Sequence, residues 1–205
     1  MSGADPYRRI AGVYDRIVEP MQRGVRRRAL DLVAPRPHWR VLDVGCGTGT
    51  GLVPYVEAGC TVAGLDVSAA MLERARERLG GAVDLRLTEG GRFPFEGGRF
   101  DLVTMSMVLH EIPAAERAEV LREMARVTAP GGRMLVTDFW FGSRRSAKGR
   151  LLRFVSWIME RLSGHYRGYR TFRAAGGVPA AAGAAGLEVE AEKVVAGGNL
   201  AIFVL

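Results

Sequence analysis

Gly45, Gly47 and Gly49 stand at alternate positions after an apolar run, residues 41–44, that carries Asp43, and Asp66 lies 21 residues beyond Gly45. Glycines at the end of a buried strand leave a bare backbone that a ligand can approach, and a following helix would offer unpaired amides. An acid in the position of Asp66 can accept two hydrogen bonds from ribose hydroxyls, and its charge disfavours a 2′-phosphate. The pattern predicts a site for an unphosphorylated adenosine. An aspartate that merely caps the next helix is the bland alternative, outweighed by the glycines at this distance. The dinucleotide fingerprint needs glycine at positions 1, 3 and 6, but the sixth position is Thr50 counting from Gly45 and Leu52 counting from Gly47. No lysine follows in the P-loop position, which argues against a nucleoside triphosphate.

Positioning these residues requires strands and helices in alternation, and the chain reads that way. Apolar or β-branched runs occur at 40–45, 61–66, 83–88, 100–107 and 133–140. Between them, Ser68 is a natural cap for a helix that places Met71, Ala75 and Leu79 on one face and stops at Gly80. A second helix places Val120, Met124 and Val127 together, and the stretch APGGR turns the chain into the fifth strand. The alanine-rich patch 174–186 predicts a short helix, and two β-rich runs joined by Gly197, Gly198 and Asn199 predict a C-terminal antiparallel hairpin.

Composition narrows the classes further. With 205 residues, 48% hydrophobic and 25% charged, the chain suits one globular domain. No stretch is long and apolar enough to span a membrane, and the N-terminus lacks a signal-peptide core, so a cytoplasmic location is expected. Cys46 and Cys60 lack metal-ligand spacing, so no metal is expected and both thiols read as reduced and packed. The net charge of +7 is uneven: residues 1–40 hold nine arginines against four acids, and residues 139–173 hold eight arginines and one lysine against Glu160 alone. Such blocks form a solvated face or meet an anionic partner: lipid headgroups, nucleic acid or a phosphorylated substrate.

Four stretches, VLDVGCGTG, GLDVSAAMLERAR, FPFEGGRFDLVTMSMVLHEI and LREMARVTAPGGRMLVTDF, together resemble the class I S-adenosylmethionine (SAM) dependent methyltransferases. The likeness is greatest to the methyltransferase type 11 group, which includes quinone-biosynthesis C-methyltransferases, and runs from residue 14 to residue 132. It implies an α/β fold, a Rossmann-like seven-stranded mostly parallel sheet with an antiparallel last strand and helices on both faces. It also implies SAM as cofactor and S-adenosylhomocysteine (SAH) as product. By this resemblance Gly45, Cys46, Gly47 and Gly49 touch the amino-acid part of SAM, and Asp43 positions the loop or a water near the ammonium. Asp66 binds the ribose, Val67 and Met71 flank the adenine, Ser106 lies beside the methionine moiety, and Tyr14 closes over the cofactor. Where the family has an aspartate for the adenine amino group this chain has Glu89, so the contact falls to Glu89 or to the Gly90 backbone.

A nucleophile that carries a proton also needs a base. His110, after the fourth strand, falls at the family's active-site cavity; His165 falls in the lid and Asp138 closes the fifth strand. Each has a plainer reading as a cap, a packed side chain or a surface residue. The resemblance makes residues 1–205 a single domain, with 1–38 an N-terminal helical substrate cap and 139–175 a lid insertion between strands five and six. These are the arginine-rich pieces. In the lid, Leu151, Val155, Ile158 and Leu162 share one helical face, read as core, and Arg150, Arg153, Trp157 and Arg161 share the other, a surface suited to an anionic membrane interface. Near the N-terminus Tyr7, Ile10, Val13, Tyr14 and Ile17 accompany Arg23, Arg26, Arg27 and Arg28.

The leading expectation is methyl transfer to a lipophilic small molecule, a prenylated quinone or an amine-bearing phospholipid headgroup, at the membrane surface. A soluble natural-product O- or N-methyltransferase is the alternative. Nucleic-acid methylation is disfavoured, because SMVLHEI replaces the N/D-P-P-Y/F tetrapeptide after the fourth strand. A SAM-binding protein without turnover and a dinucleotide oxidoreductase rank lower. Oligomeric state is left open by the sequence.

Overall fold

The computed structural model describes residues 11–80, 83–143, 146–163 and 166–205. Seven strands form one sheet in the order β3-β2-β1-β4-β5-β7-β6, with helices around it. The chain divides into two compact units, Met1–Thr104 with Arg126–Arg133 and Met105–Ala125 with Met134–Leu205. Among the described residues no helix is long and apolar enough to cross a membrane.

In the first unit, β1 (Arg40–Val44), β2 (Thr61–Asp66) and β3 (Asp84–Leu87) pair in parallel, with Asp43 opposite Gly64 and Asp66 opposite Leu87. Val41, Leu42, Val44 and Leu65 are buried in near-continuous apolar runs, as expected where parallel strands are covered on both faces. Helix α1 (Ala11–Val33) precedes them and buries Val25 and Val33. After β2, the Ser68 hydroxyl accepts the Met71 amide hydrogen bond and opens α3 (Ala69–Leu79), which buries Met71, Leu72 and Ala75 before ending at Gly80. Such a cap is worth about 1 kcal/mol. Both helix and cap match the sequence reading.

β4 (Phe100–Ser106) is followed by α4 (Arg117–Val127), which buries Val120, Met124 and Val127, and by β5 (Thr128–Phe139). The fifth strand begins five residues earlier than its apolar run, at the residues read as a turn. Just before it, the Arg99 amide donates to the Val127 carbonyl at 2.9 Å.

The second unit adds α5 (Ala147–Ser163), α6 (Tyr166–Ala174), α7 (Gly177–Ala185), β6 (Ala191–Val195) and β7 (Leu200–Val204). β7 runs antiparallel to both β5 and β6, with Asp138 opposite Ala201 and Val195 opposite Leu200. The expected hairpin and alanine-rich helix are present. Leu151 corrects one expectation: assigned to a core face of α5, it is 63% exposed, because α5 turns Leu151 and Phe154 outward.

Candidate functional site

The turn after β1 is held by its neighbour strand. The amides of Gly45 and Cys46 both donate to the Leu65 carbonyl, at 2.8 and 2.9 Å, and the Gly47 amide donates to Asp66 Oδ2 at 2.8 Å. Gly45, Gly47 and Gly49 have φ of 73°, 54° and 75°, the left-handed region that glycine enters without steric cost. Their surroundings differ. A methyl at Gly49 would meet Leu79 Cδ1 at 2.9 Å and Ala75 Cβ at 3.1 Å, so this glycine lets the loop lean on α3. A methyl at Gly47 would meet nothing within 4 Å, which leaves the middle of the loop open to a ligand. The loop therefore fits the cofactor cradle that its spacing suggests. The helix after it does not supply the amides: α2 is only Val53–Glu57, and the Tyr55 and Val56 amides already bond to the Leu52 carbonyl.

Asp66 is buried at the end of β2, and its Oδ1 accepts the Ser68 amide at 2.9 Å. Two amides thus fix the plane of the carboxylate. A carboxylate has about four acceptor positions, so an oxygen that accepts one amide can also accept a hydroxyl. Asp43, on β1, is buried; the Thr104 hydroxyl donates to its Oδ1 at 2.8 Å. Burial lifts its pKa to about 6, with the Thr104 hydrogen bond and the charge of Arg26 opposing and Asp66 adding to the rise. Gly51 makes room for it, since a methyl there would lie 2.9 Å from Asp43 Oδ2. Cys46 is buried, Val67 is exposed and Met71 faces the interior. Glu89 is exposed, and the Gly90 amide donates to the Thr88 hydroxyl at 3.2 Å. Tyr14 falls within α1, with its side chain outside the described set.

In the second unit, Ser106 ends β4 half-buried, and Met107 after it has φ of 59° with its amide bonded to the Thr137 carbonyl at 2.8 Å. A non-glycine residue in that region is strained, a feature that clusters at functional sites. Two of the three candidate bases come together here. His110 Nδ1 lies 2.8 Å from Asp138 Oδ1, and the His110 amide donates to Asp138 Oδ2 at 3.1 Å, with both side chains 1% exposed or less. The Phe139 amide also donates to Oδ1, at 2.7 Å. Facing a carboxylate oxygen, Nδ1 is the ring nitrogen placed to donate, and Nε2 lies 3.9 Å from Glu111 Oε1. Glu111 lies before α4, which starts at Arg117. The third candidate, His165, lies outside the described residues, as do Tyr7 and Ile10.

Arg117 is a further residue of this region, one that sequence reasoning missed. It is 4% exposed, and its guanidinium donates to the carbonyls of Ile112 (3.0 Å), His110 (3.4 Å) and Gly168 (3.2 Å) and to the Thr171 hydroxyl (3.2 Å), tying α6 to the segment around His110. At the start of an amphipathic helix it reads as an ordinary solvated charge. Gly168 permits the approach, since a methyl there would lie 2.7 Å from the His110 carbonyl.

Comparison with known proteins finds similarity to one family over part of the chain. Residues 41–132, which hold the glycine loop, Asp66 and β4, match the family described as methyltransferase domain. Nocamycin O-methyltransferase of Saccharothrix syringae is 41% identical over 139 residues, 63% of this chain and 48% of that protein. A demethylmenaquinone methyltransferase of Renibacterium salmoninarum is 40% identical over 114 residues, 56% of this chain and 47% of that protein. The chain spans about half the length of the curated relatives it matches. A chain in the complex between the Haloferax volcanii Trm112 methyltransferase activator and a methyltransferase shares the fold, with a TM-score of 0.72 over 99% of this chain and 98% of that one, at 17% identity. The likeness to a methyltransferase domain thus covers residues 41–132.

Proposed function

We propose that the protein transfers the methyl group of SAM to a small lipophilic acceptor, a prenylated quinone or a phospholipid headgroup, at a membrane surface. The Asp66–Gly47 contact carries the cofactor part of this reading: it joins the ribose acid to an open glycine turn within one unit. The relatives named demethylmenaquinone methyltransferase favour a quinone acceptor. The aromatic and arginine residues of α5 and α6 favour action at a surface.

When bound, SAM supplies a methyl made electrophilic by its sulfonium. The chain contributes orientation, worth up to about 7–11 kcal/mol of barrier in favourable cases, and exclusion of water. Asp66 orients the nucleoside and the open turn at Gly47 admits the amino-acid part. Asp43 positions the loop or a water near the ammonium. Ser106, Val67, Met71, Tyr14 and either Glu89 or Gly90 complete the proposed cofactor contacts. His110 and Asp138, paired at 2.8 Å, are proposed bases for an acceptor that carries a proton. His165 is a further proposed base.

Thermal unfolding with SAM and SAH tests the cofactor reading, because a ligand of the native state raises the midpoint. A rise in wild type that is lost in Asp66→Ala supports it, and no rise in wild type with either ligand sinks it. A soluble natural-product O- or N-methyltransferase is the second reading, favoured by the nocamycin relative. Turnover on a free phenol or amine, and none on prenylated quinones or phospholipids in vesicles, would select it.

A further inference from the structure

Helices α5 and α6 enclose a groove of about 610 Å3 whose lining, among the described residues, includes Arg150, Arg153, Arg170 and Arg173 and no carboxylate. Among the described residues no acid pairs with Arg150, Arg170 or Arg173. The remaining wall is aromatic. Trp157 and Tyr166 meet edge to face at 6.4 Å, and Tyr166 stacks on Tyr169 at 6.4 Å. Guanidinium groups interleave with these rings: Arg153 lies 5.8 Å from the Tyr169 centroid, Arg161 lies 5.0 Å from Trp157 and Arg170 lies 6.0 Å from Tyr166. Arg153 also donates to the Trp140 carbonyl at 3.3 Å. Rings under the guanidinium groups hold the long side chains in place, so less rotamer freedom remains to be lost when an anion arrives. Planar forks aimed at one space suit the oxygens of a phosphate, which each arginine can take two at a time.

We propose that this groove binds the headgroup phosphate of an anionic phospholipid and seats α5 on the bilayer. The proposal rests on the membrane-surface reading above and names the element that makes the contact. Lipid is favoured over a soluble phosphate by the exposed apolar side chains of the same helix, two of which, Phe154 and Trp157, stand in the groove wall. Leu151 is 63% exposed, Phe154 57% and Trp157 36%, and Phe154 stacks on Trp157 at 6.0 Å. A soluble ligand would leave that apolar surface in water, whereas the acyl boundary beneath a bound headgroup would cover it. Tryptophan with arginine at the depth of the headgroups is the arrangement found at membrane interfaces.

Co-sedimentation with vesicles of phosphatidylglycerol in phosphatidylcholine tests the proposal, with wild type, Arg170→Gln/Arg173→Gln and Phe154→Ser compared at one ionic strength and circular dichroism confirming that each folds. Wild type should bind the anionic vesicles and not pure phosphatidylcholine. Removing each arginine should weaken partitioning about fivefold, and Phe154→Ser should weaken it without altering the charge. Glycerol 3-phosphate at millimolar concentration should leave wild-type binding unchanged. Arginine variants that bind as wild type does would overturn the groove as the headgroup site. Displacement by glycerol 3-phosphate, with Phe154→Ser unaffected, would assign the groove to a soluble phosphate and overturn the lipid. The midpoint shift with SAM, read on the same samples, reports the cofactor reading separately: its absence in wild type defeats methyl transfer and leaves the vesicle result standing.

Discussion

Asp66 accepts the Gly47 amide at 2.8 Å, so the acid assigned to the cofactor ribose also anchors the turn assigned to its amino-acid end. Asp66→Asn turns one acceptor into a donor that faces either the Gly47 or the Ser68 amide. We expect the free energy of unfolding to fall by about 1–3 kcal/mol, the cost of leaving a buried donor unmatched, together with loss of SAM affinity. Urea unfolding and titration calorimetry on one preparation measure the two. Lost affinity at unchanged stability would refute the anchoring role.

Asp43 titrates near 6 because it is buried, although Thr104 and Arg26 favour its charged form. Its folded pKa lies above the unfolded value, so the folded state keeps a proton that the unfolded chain releases. Stability from this group is greatest below about pH 4, falls as pH rises through the window from 4 to 6, and is level above it. The full cost at pH 7 is about 3 kcal/mol, from the rise above the ordinary carboxyl value. Asp43→Asn should therefore be more stable than wild type at pH 7, with the advantage shrinking toward pH 4, while its SAM affinity drops. Parallel stability curves for the two proteins between pH 4 and 7 would count against this account.

Gly47→Ala and Gly49→Ala should separate two demands on the loop. Both place a side chain at positive φ, costing about 1–2 kcal/mol. Gly49→Ala also drives a methyl into Leu79 and Ala75, adding about 1–3 kcal/mol of overpacking. The Gly49 variant should lose more stability, and the Gly47 variant more SAM affinity for each unit of stability lost. The opposite order in both measurements would move the ligand-facing position away from Gly47.

Asp138 receives three hydrogen bonds, two from His110 and one from the Phe139 amide. Asp138→Asn leaves one acceptor oxygen where there were two and should cost about 1–3 kcal/mol, as leaving a buried donor unsatisfied does. Nitrogen NMR should find the proton of the neutral His110 ring on Nδ1 in wild type. A ring protonated on Nε2 instead would contradict the pairing.

The sequence made most of the first unit legible because its signals are local. Ser68 caps a helix three residues away, and the β2 boundaries follow from a burial pattern confined to residues 61–66. His110 and Asp138 were each readable as strand-end residues, yet their pairing spans 28 positions and exists only once β5 lies where it does. Arg117 carried no signal at all, because burial of an arginine depends on carbonyls contributed by Gly168, 51 residues on. The exposed Leu151 misled for a related reason: helical periodicity identifies an apolar face but not whether another element covers it.

Cys46 sits in the glycine turn with its sulfur so close to β2 that a methyl at Gly64 would come within 2.7 Å of it. Burial, with Asp43 and Asp66 nearby, pushes its thiol pKa well up, so the group is doubly protected from electrophiles. Cys60, the other thiol, is only partly covered and hydrogen-bonds to the Arg36 carbonyl at 3.4 Å. The chain thus contains its own clock. A thiol reagent should modify Cys60 first, and the slower modification of Cys46 should record how often the turn swings open, a rate that falls when SAM holds it shut.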